Sequence, residues 1–126
     1  MHKYWIMDKL GQPIQVSMRE WAEWFESSDR IVAQTRLGDI FISTVFLGMD
    51  HGFGRSSVPI LFETMVFPEN NLSIEEGGYV ESECYRFATR TEALLNHKEM
   101  VEKYRQIVLK AQRIVLVEEK VDKTNV

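Results

Sequence analysis

The stretch IFISTVFLGMDHGFGRSSVPILFETMVF, residues 40–67, decides the fold. Two apolar runs rich in β-branched and aromatic residues, 40–48 and 59–67, flank a glycine-rich loop. Residues of this kind fit a pleated, half-buried surface. The natural relation of the two runs is an antiparallel hairpin, with a loop of about ten residues that is long for such a connection. Along the second run Ile60, Phe62, Thr64 and Val66 alternate with Leu61, Glu63, Met65 and Phe67, so the two sets face opposite ways. Both sets are nearly all apolar, and strands of that kind sit at the centre of a sheet covered on both faces.

Outward from this pair, residues 4–8 and 13–17 read as short strands around a turn at Gly11, Gln12 and Pro13. Ser17 and Glu20 have the spacing of a capping box, which places a helix start at Met18. Met18, Trp21, Ala22 and Phe25 recur at helical spacing and form one apolar face. Residues 30–36 have strand character. Residues 68–82 are polar and turn-rich, and residues 84–88 return as a short strand. Thr89 and Glu92 repeat the capping-box spacing ahead of a helix expected over about 90–117, with a frayed tail from about 118. The expected fold class is therefore α+β in a single domain: an antiparallel sheet of about four to six strands, packed with one short helix and one long C-terminal helix.

Length and composition are those of an ordinary globular domain. The chain has 126 residues, 44% of them hydrophobic and 27% charged, enough to bury a core without metal or disulfide staples. The formal charge of −4 argues against general nucleic-acid binding, which calls for a basic face. A lone cysteine, Cys84, permits no intramolecular disulfide and fits a reducing compartment. The apolar runs fall far short of a membrane span, and the N-terminal residues lack the apolar core of a signal peptide. A cytoplasmic protein is expected, without a membrane partner or a cofactor.

Three side chains have the chemistry of a catalytic site: Asp50 and His51, where the first run breaks into the loop, and Glu63, which interrupts the second run. A carboxylate on an apolar strand face needs a partner, or its pKa rises, and beside a histidine it could serve as a general acid or base. Asp, His and Glu could also hold a divalent metal, but neither an HExxH pattern nor a second histidine at ligand spacing is present, so no metal site is assigned. The competing reading gives Asp50 and His51 to the loop amides and Glu63 to an arginine such as Arg30, Arg36 or Arg86. It carries more weight, because ion pairing is a common solution for a buried acid.

Gly48, Gly52 and Gly54 with Arg55, Ser56 and Ser57 have the composition of a phosphate-cradling loop, yet no lysine and no following helix completes a P-loop. Phe53, set between two glycines, either folds back as a plug or contacts a partner. Arg55 offers a cation beside it. Trp24 falls off the helical face of Trp21 and Phe25 and is expected at the surface, so Phe53, Arg55 and Trp24 are the binding candidates. Cys84 and His97 form a nominal nucleophile–base pair, for which an inert buried thiol is the better reading. In the long helix Leu94, Val101, Val108 and Val115 repeat at intervals of seven. The helix either bends around its own sheet or packs against a second subunit as a homodimer.

The block STVFLGMDHGFG followed by PILFETMVF, with WAEWFESSDRIVAQT upstream and RFATRTEALLNHKEMVE downstream, resembles a group of short uncharacterised phage and prophage proteins. The resemblance covers most of residues 18–105. It implies a phage-type accessory protein, and supplies no activity or catalytic residue. Two functions are compatible with the sequence. One is a non-enzymatic interaction module that binds a host or phage macromolecule, possible versions being an inhibitor or modulator. The other is a small hydrolase or metal-dependent enzyme using Asp50, His51 and Glu63.

Overall fold

The structure, a computed structural model, describes residues 3–55, 57–68, 73–75, 78–79 and 82–124, with the backbone alone for 73–75, 78–79 and 111–124. The fold is α+β. Strands β1 (Tyr4–Met7) and β2 (Pro13–Val16) form an antiparallel hairpin, followed by helix α1 (Met18–Ser27). Strands β3 (Ile31–Leu37), β4 (Ile40–Phe46), β5 (Phe62–Pro68) and β8 (Glu83–Phe87) make a four-stranded sheet in the order β3-β4-β5-β8. Short strands β6 (Ser73–Glu75) and β7 (Gly78–Tyr79) pair within the acidic connection, most of which lies outside the described residues. Helix α2 (Arg90–Thr124) follows β8.

The two apolar runs pair antiparallel at the centre of the sheet, from Ile40 opposite Pro68 to Phe46 opposite Phe62. Both helices begin on capping boxes. Ser17 Oγ accepts from the Glu20 N–H at 3.2 Å, and Thr89 Oγ1 accepts from the Glu92 N–H at the same distance. Each hydroxyl also donates to the glutamate carboxylate of its own box. This satisfies amides that the first helical turn leaves unpaired.

One face of the sheet carries Ile40, Ile42, Thr44 and Phe46 of β4 beside Phe62, Thr64 and Val66 of β5, all fully buried. Helix α2 covers that face. Tyr104 joins Ile40, Ile42 and Val66, with Met100, Val101, Ile107 and Val108 packed around them. Ala93 joins Phe46, Leu61 and Phe62, with Trp5, Met7 and Trp24 against them. The heptad positions Val101 and Val108 thus pack on the chain's own sheet. The helix is also longer than the sequence pattern places it, 35 residues or about 52 Å. Neither glycine nor proline occurs after Gly78 to stop it.

The opposite face differs from expectation. Phe41, Val45, Met65 and Phe67 belong to neither core cluster that the helices join. Phe67 is 37% exposed and stacks on Phe41 with ring centroids 6.3 Å apart, while Arg36 lies over the Phe41 ring. Among the described residues neither helix packs on this face, where Ser43 is buried and Phe41, Val45 and Met65 are half-buried, so it is the more open of the two.

Helix α1 is also rotated from its expected orientation. Met18 is 63% exposed and Ala22 is exposed, whereas Trp21, Trp24 and Phe25 turn inward. Trp24 meets Phe46 edge-on, with ring centroids 5.7 Å apart. Three aromatics at i, i+3 and i+4 bury more surface than a stripe holding Met and Ala, and they set the rotation. Trp24 is accordingly a packing residue and not the exposed contact expected from its spacing.

Candidate functional site

The loop between β4 and β5 is ordered by its first residues. Gly48 has φ 78°, and a Cβ there would lie 2.3 Å and 2.4 Å from atoms of the Phe25 ring. Only glycine fits both the backbone conformation and the close approach of α1. The Gly48 carbonyl accepts from the Trp5 N–H at 3.0 Å, which ties the β1–β2 hairpin to the loop.

Asp50 then holds the loop closed. Its Oδ1 accepts from the Gly52 N–H at 2.7 Å and from the Ile60 N–H at 2.9 Å, and its Oδ2 accepts from the Gly54 N–H at 2.9 Å. One carboxylate so binds the start, the tip and the exit of the loop. The N–H groups of Ile60 and Gly54, with lesser help from Gly52 and His51, outweigh partial desolvation and hold the Asp50 carboxyl below the usual carboxylate range. The His51 N–H donates to the Ile60 carbonyl at 2.9 Å, which closes the neck of the loop from the backbone side.

At the tip, Phe53 has φ 51°, the one described non-glycine residue with positive φ. A bulky residue in this region is strained and persists only where its surroundings over-determine it. Here the Phe53 N–H donates to the Asp50 carbonyl and the Arg55 N–H to the Gly52 carbonyl, on either side of the strained residue. The Phe53 ring is 77% exposed. It is neither a plug nor part of the core; its centroid lies 6.1 Å from that of His51. Beneath it is a groove of about 660 Å³ lined by Lys3, Trp5, Met49, Asp50, His51, Val58 and Pro59, among others.

Glu63 does not line this groove. It projects from the open face of the sheet, where Arg86 of β8, its cross-strand neighbour, donates from Nε to Glu63 Oε2 at 2.9 Å. The Glu63 side chain is 13% exposed and that of Arg86 48%. Asp50 and His51 are thus brought together, and Glu63 stands apart, bound to an arginine. Among the described residues no three His, Cys, Asp or Glu side chains are grouped to hold a metal ion.

Cys84 and His97 are separated as well. Cys84 is exposed, contrary to the buried thiol expected, and pairs with Met65 on the open face. Desolvation and the nearby Glu63 carboxylate raise its pKa, so it is not an activated thiolate. His97 lies on the helix side, 6% exposed, at the centre of a network that pattern reading missed. Its Nε2 is 2.9 Å from Thr35 Oγ1, its Nδ1 is 2.8 Å from Thr44 Oγ1, and Thr44 Oγ1 is 2.7 Å from Thr64 Oγ1. The available signal was a threonine in each central strand on the face that holds Ile42 and Val66, since a hydroxyl there must find a partner.

A second polar cluster fastens α2 to the sheet edge. Glu83 accepts from Tyr85 Oη at 2.7 Å, from Lys103 Nζ at 3.0 Å and from the buried Tyr104 hydroxyl. Burial opposes the Glu83 charge, but hydrogen bonds from Tyr104, Tyr85 and Lys103 outweigh it and keep the carboxyl below its ordinary range. Burial and then the Glu83 carboxylate raise the Tyr104 phenol well above its usual value.

No family model, no curated protein and no solved structure matches the chain.

Proposed function

We propose that the chain is a small phage-type accessory protein acting as a non-enzymatic interaction module on a host or phage macromolecule in the host cytoplasm. The phage setting rests on the sequence resemblance. The contact surface is the loop over residues 48–59, with Phe53 and Arg55 as its anchors.

One observation carries this reading: a strained, 77% exposed phenylalanine held at the tip of a loop that Asp50 closes through three backbone N–H groups. Pre-ordering removes much of the entropy cost that a flexible loop pays on association. Aromatic and arginine side chains are enriched at the residues that dominate binding energy. The catalytic alternative draws no comparable support, because the Asp50 carboxylate is occupied by amides and Glu63 by Arg86.

The test is affinity capture from infected cells with wild type, Phe53→Ala/Arg55→Ala and His51→Ala, together with circular dichroism of each. Loss of a specific partner from the folded double variant, with retention by His51→Ala, supports the module. Normal capture by the double variant, with a divalent-metal-dependent activity lost in His51→Ala, overturns it.

A further inference from the structure

The groove under Phe53 has a character that narrows its ligand. Its half-buried base is apolar, with Trp5, Met49 and Pro59, and its exposed edge adds Phe53 and Val58. The carboxylate that lines it, Asp50, is turned onto the amides of Gly52, Gly54 and Ile60. Asp50 keeps its negative charge, but its oxygens are engaged within the loop. Lys3 lines the groove and Arg55 follows Phe53 by two residues; both are exposed, and neither enters an ion pair with a described carboxylate. Lys3 and Asp50 on the groove, with Arg55 next to the lining residue Gly54, sum to +1 against −4 for the whole chain.

Resting on the module reading above, we infer that the groove takes a short acidic segment of a protein partner. A large apolar side chain of that segment enters between Trp5, Phe53 and Val58, and flanking carboxylates meet Lys3 and Arg55. The apolar base supplies the desolvated centre of the contact and the two cations its polar rim, the usual division of a protein interface. Complementary rim charge fixes orientation and excludes basic partners. A nucleic-acid strand fits less well. It needs a basic track along the backbone, whereas here two cations stand on an acidic protein.

The test uses the full chain, labelled with ¹⁵N, and three synthetic ten-residue peptides: a central phenylalanine flanked by aspartate and glutamate, the same flanked by serine, and the same flanked by lysine. A twelve-nucleotide oligothymidylate is the fourth probe. The acidic peptide is expected to shift the amides of residues 3–5 and 49–60. It should bind about tenfold or more tightly than the serine peptide at low salt, and lose that advantage at high salt. Lys3→Glu/Arg55→Glu, which alters two exposed side chains, should abolish the preference and favour the lysine peptide.

Equal binding of the three peptides, binding of none, or tighter binding of the oligothymidylate at the same amides overturns the inference. These outcomes are distinguishable from failure of the module reading. If capture still depends on Phe53 and Arg55 while the acidic peptide shows no preference, only the ligand assignment falls. If capture ignores Phe53 and Arg55, the loop as contact surface falls, whatever the peptides do.

Discussion

Replacing Thr44 by valine tests the packing of α2 on the sheet through a predicted reversal of sign. Thr44 Oγ1 lies between Thr64 Oγ1 and His97 Nδ1, at 2.7 Å and 2.8 Å, and both threonines are fully buried. Valine keeps the shape and removes the shared hydroxyl. Two buried polar groups are then stranded, the Thr64 hydroxyl and the His97 nitrogen, each at a cost of about 1–3 kcal/mol. The Thr44→Val variant is therefore expected to lose about 2–4 kcal/mol. Adding Thr64→Val removes one of the stranded groups, so the double variant should recover about 1–2 kcal/mol and be more stable than Thr44→Val alone. Thr64→Val by itself removes the end of the chain of bonds and should cost least. Urea unfolding followed by circular dichroism, extrapolated linearly to water, gives the four stabilities. A Thr44→Val variant as stable as wild type, or one that the second substitution destabilises further, would contradict this network.

The same network sets a pH dependence. Burial lowers the His97 pKa below its ordinary 6.5, so the native state favours neutral imidazole and the unfolded chain takes up the proton first. The stability His97 contributes should be complete above about pH 6.5 and decline as pH falls through that value; urea titrations between pH 8 and 5 should show the decline, and His97→Gln should flatten it. Asp50, Glu83 and Glu102, whose carboxyls are held below their ordinary range, lose their contributions at lower pH and leave this window clear. Gly48→Ala places a methyl against the Phe25 ring at positive φ, and should cost about 2–3 kcal/mol or more in thermal or urea unfolding. Val108→Glu puts a charge against the cluster of Ile40, Ile42, Val66 and Tyr104, so it should lower the melting temperature; light scattering that showed only a change of association state, at unchanged melting temperature, would contradict the intramolecular packing.

The elements set by local chemistry were legible in the sequence. The apolar runs of 40–48 and 59–67 identify the central pair, and Ser17 with Glu20 and Thr89 with Glu92 fix two helix starts to the residue. What depends on tertiary contact was not. The rotation of α1 follows from the fit of Trp21 and Phe25 around Gly48, and from Trp24 meeting Phe46, residues that are distant in sequence. Alternation within 59–67 separates Glu63 from Thr64, but it does not say which face the long helix takes. The partner of Glu63 depends on register, which places Arg86 opposite it and leaves Arg30 and Arg36 elsewhere. In the sequence Asp50 and His51 stand where the first run breaks into the loop; β4 ends earlier, at Phe46, and β5 begins later, at Phe62, so both residues lie inside a longer loop. Only the three N–H groups converging on Asp50 reveal that its carboxylate closes the loop. The network at His97 joins β3, β4, β5 and α2, and no spacing within one segment carries it.

The proposed contact surface is the loop over residues 48–59. Hydrogen–deuterium exchange on the captured complex against the free chain tests it most directly. New protection should concentrate in residues 48–60 and in Lys3 to Trp5, which border the groove. Protection confined to the open face of the sheet, around Phe41 and Phe67, with exchange in residues 48–60 unchanged, would contradict it.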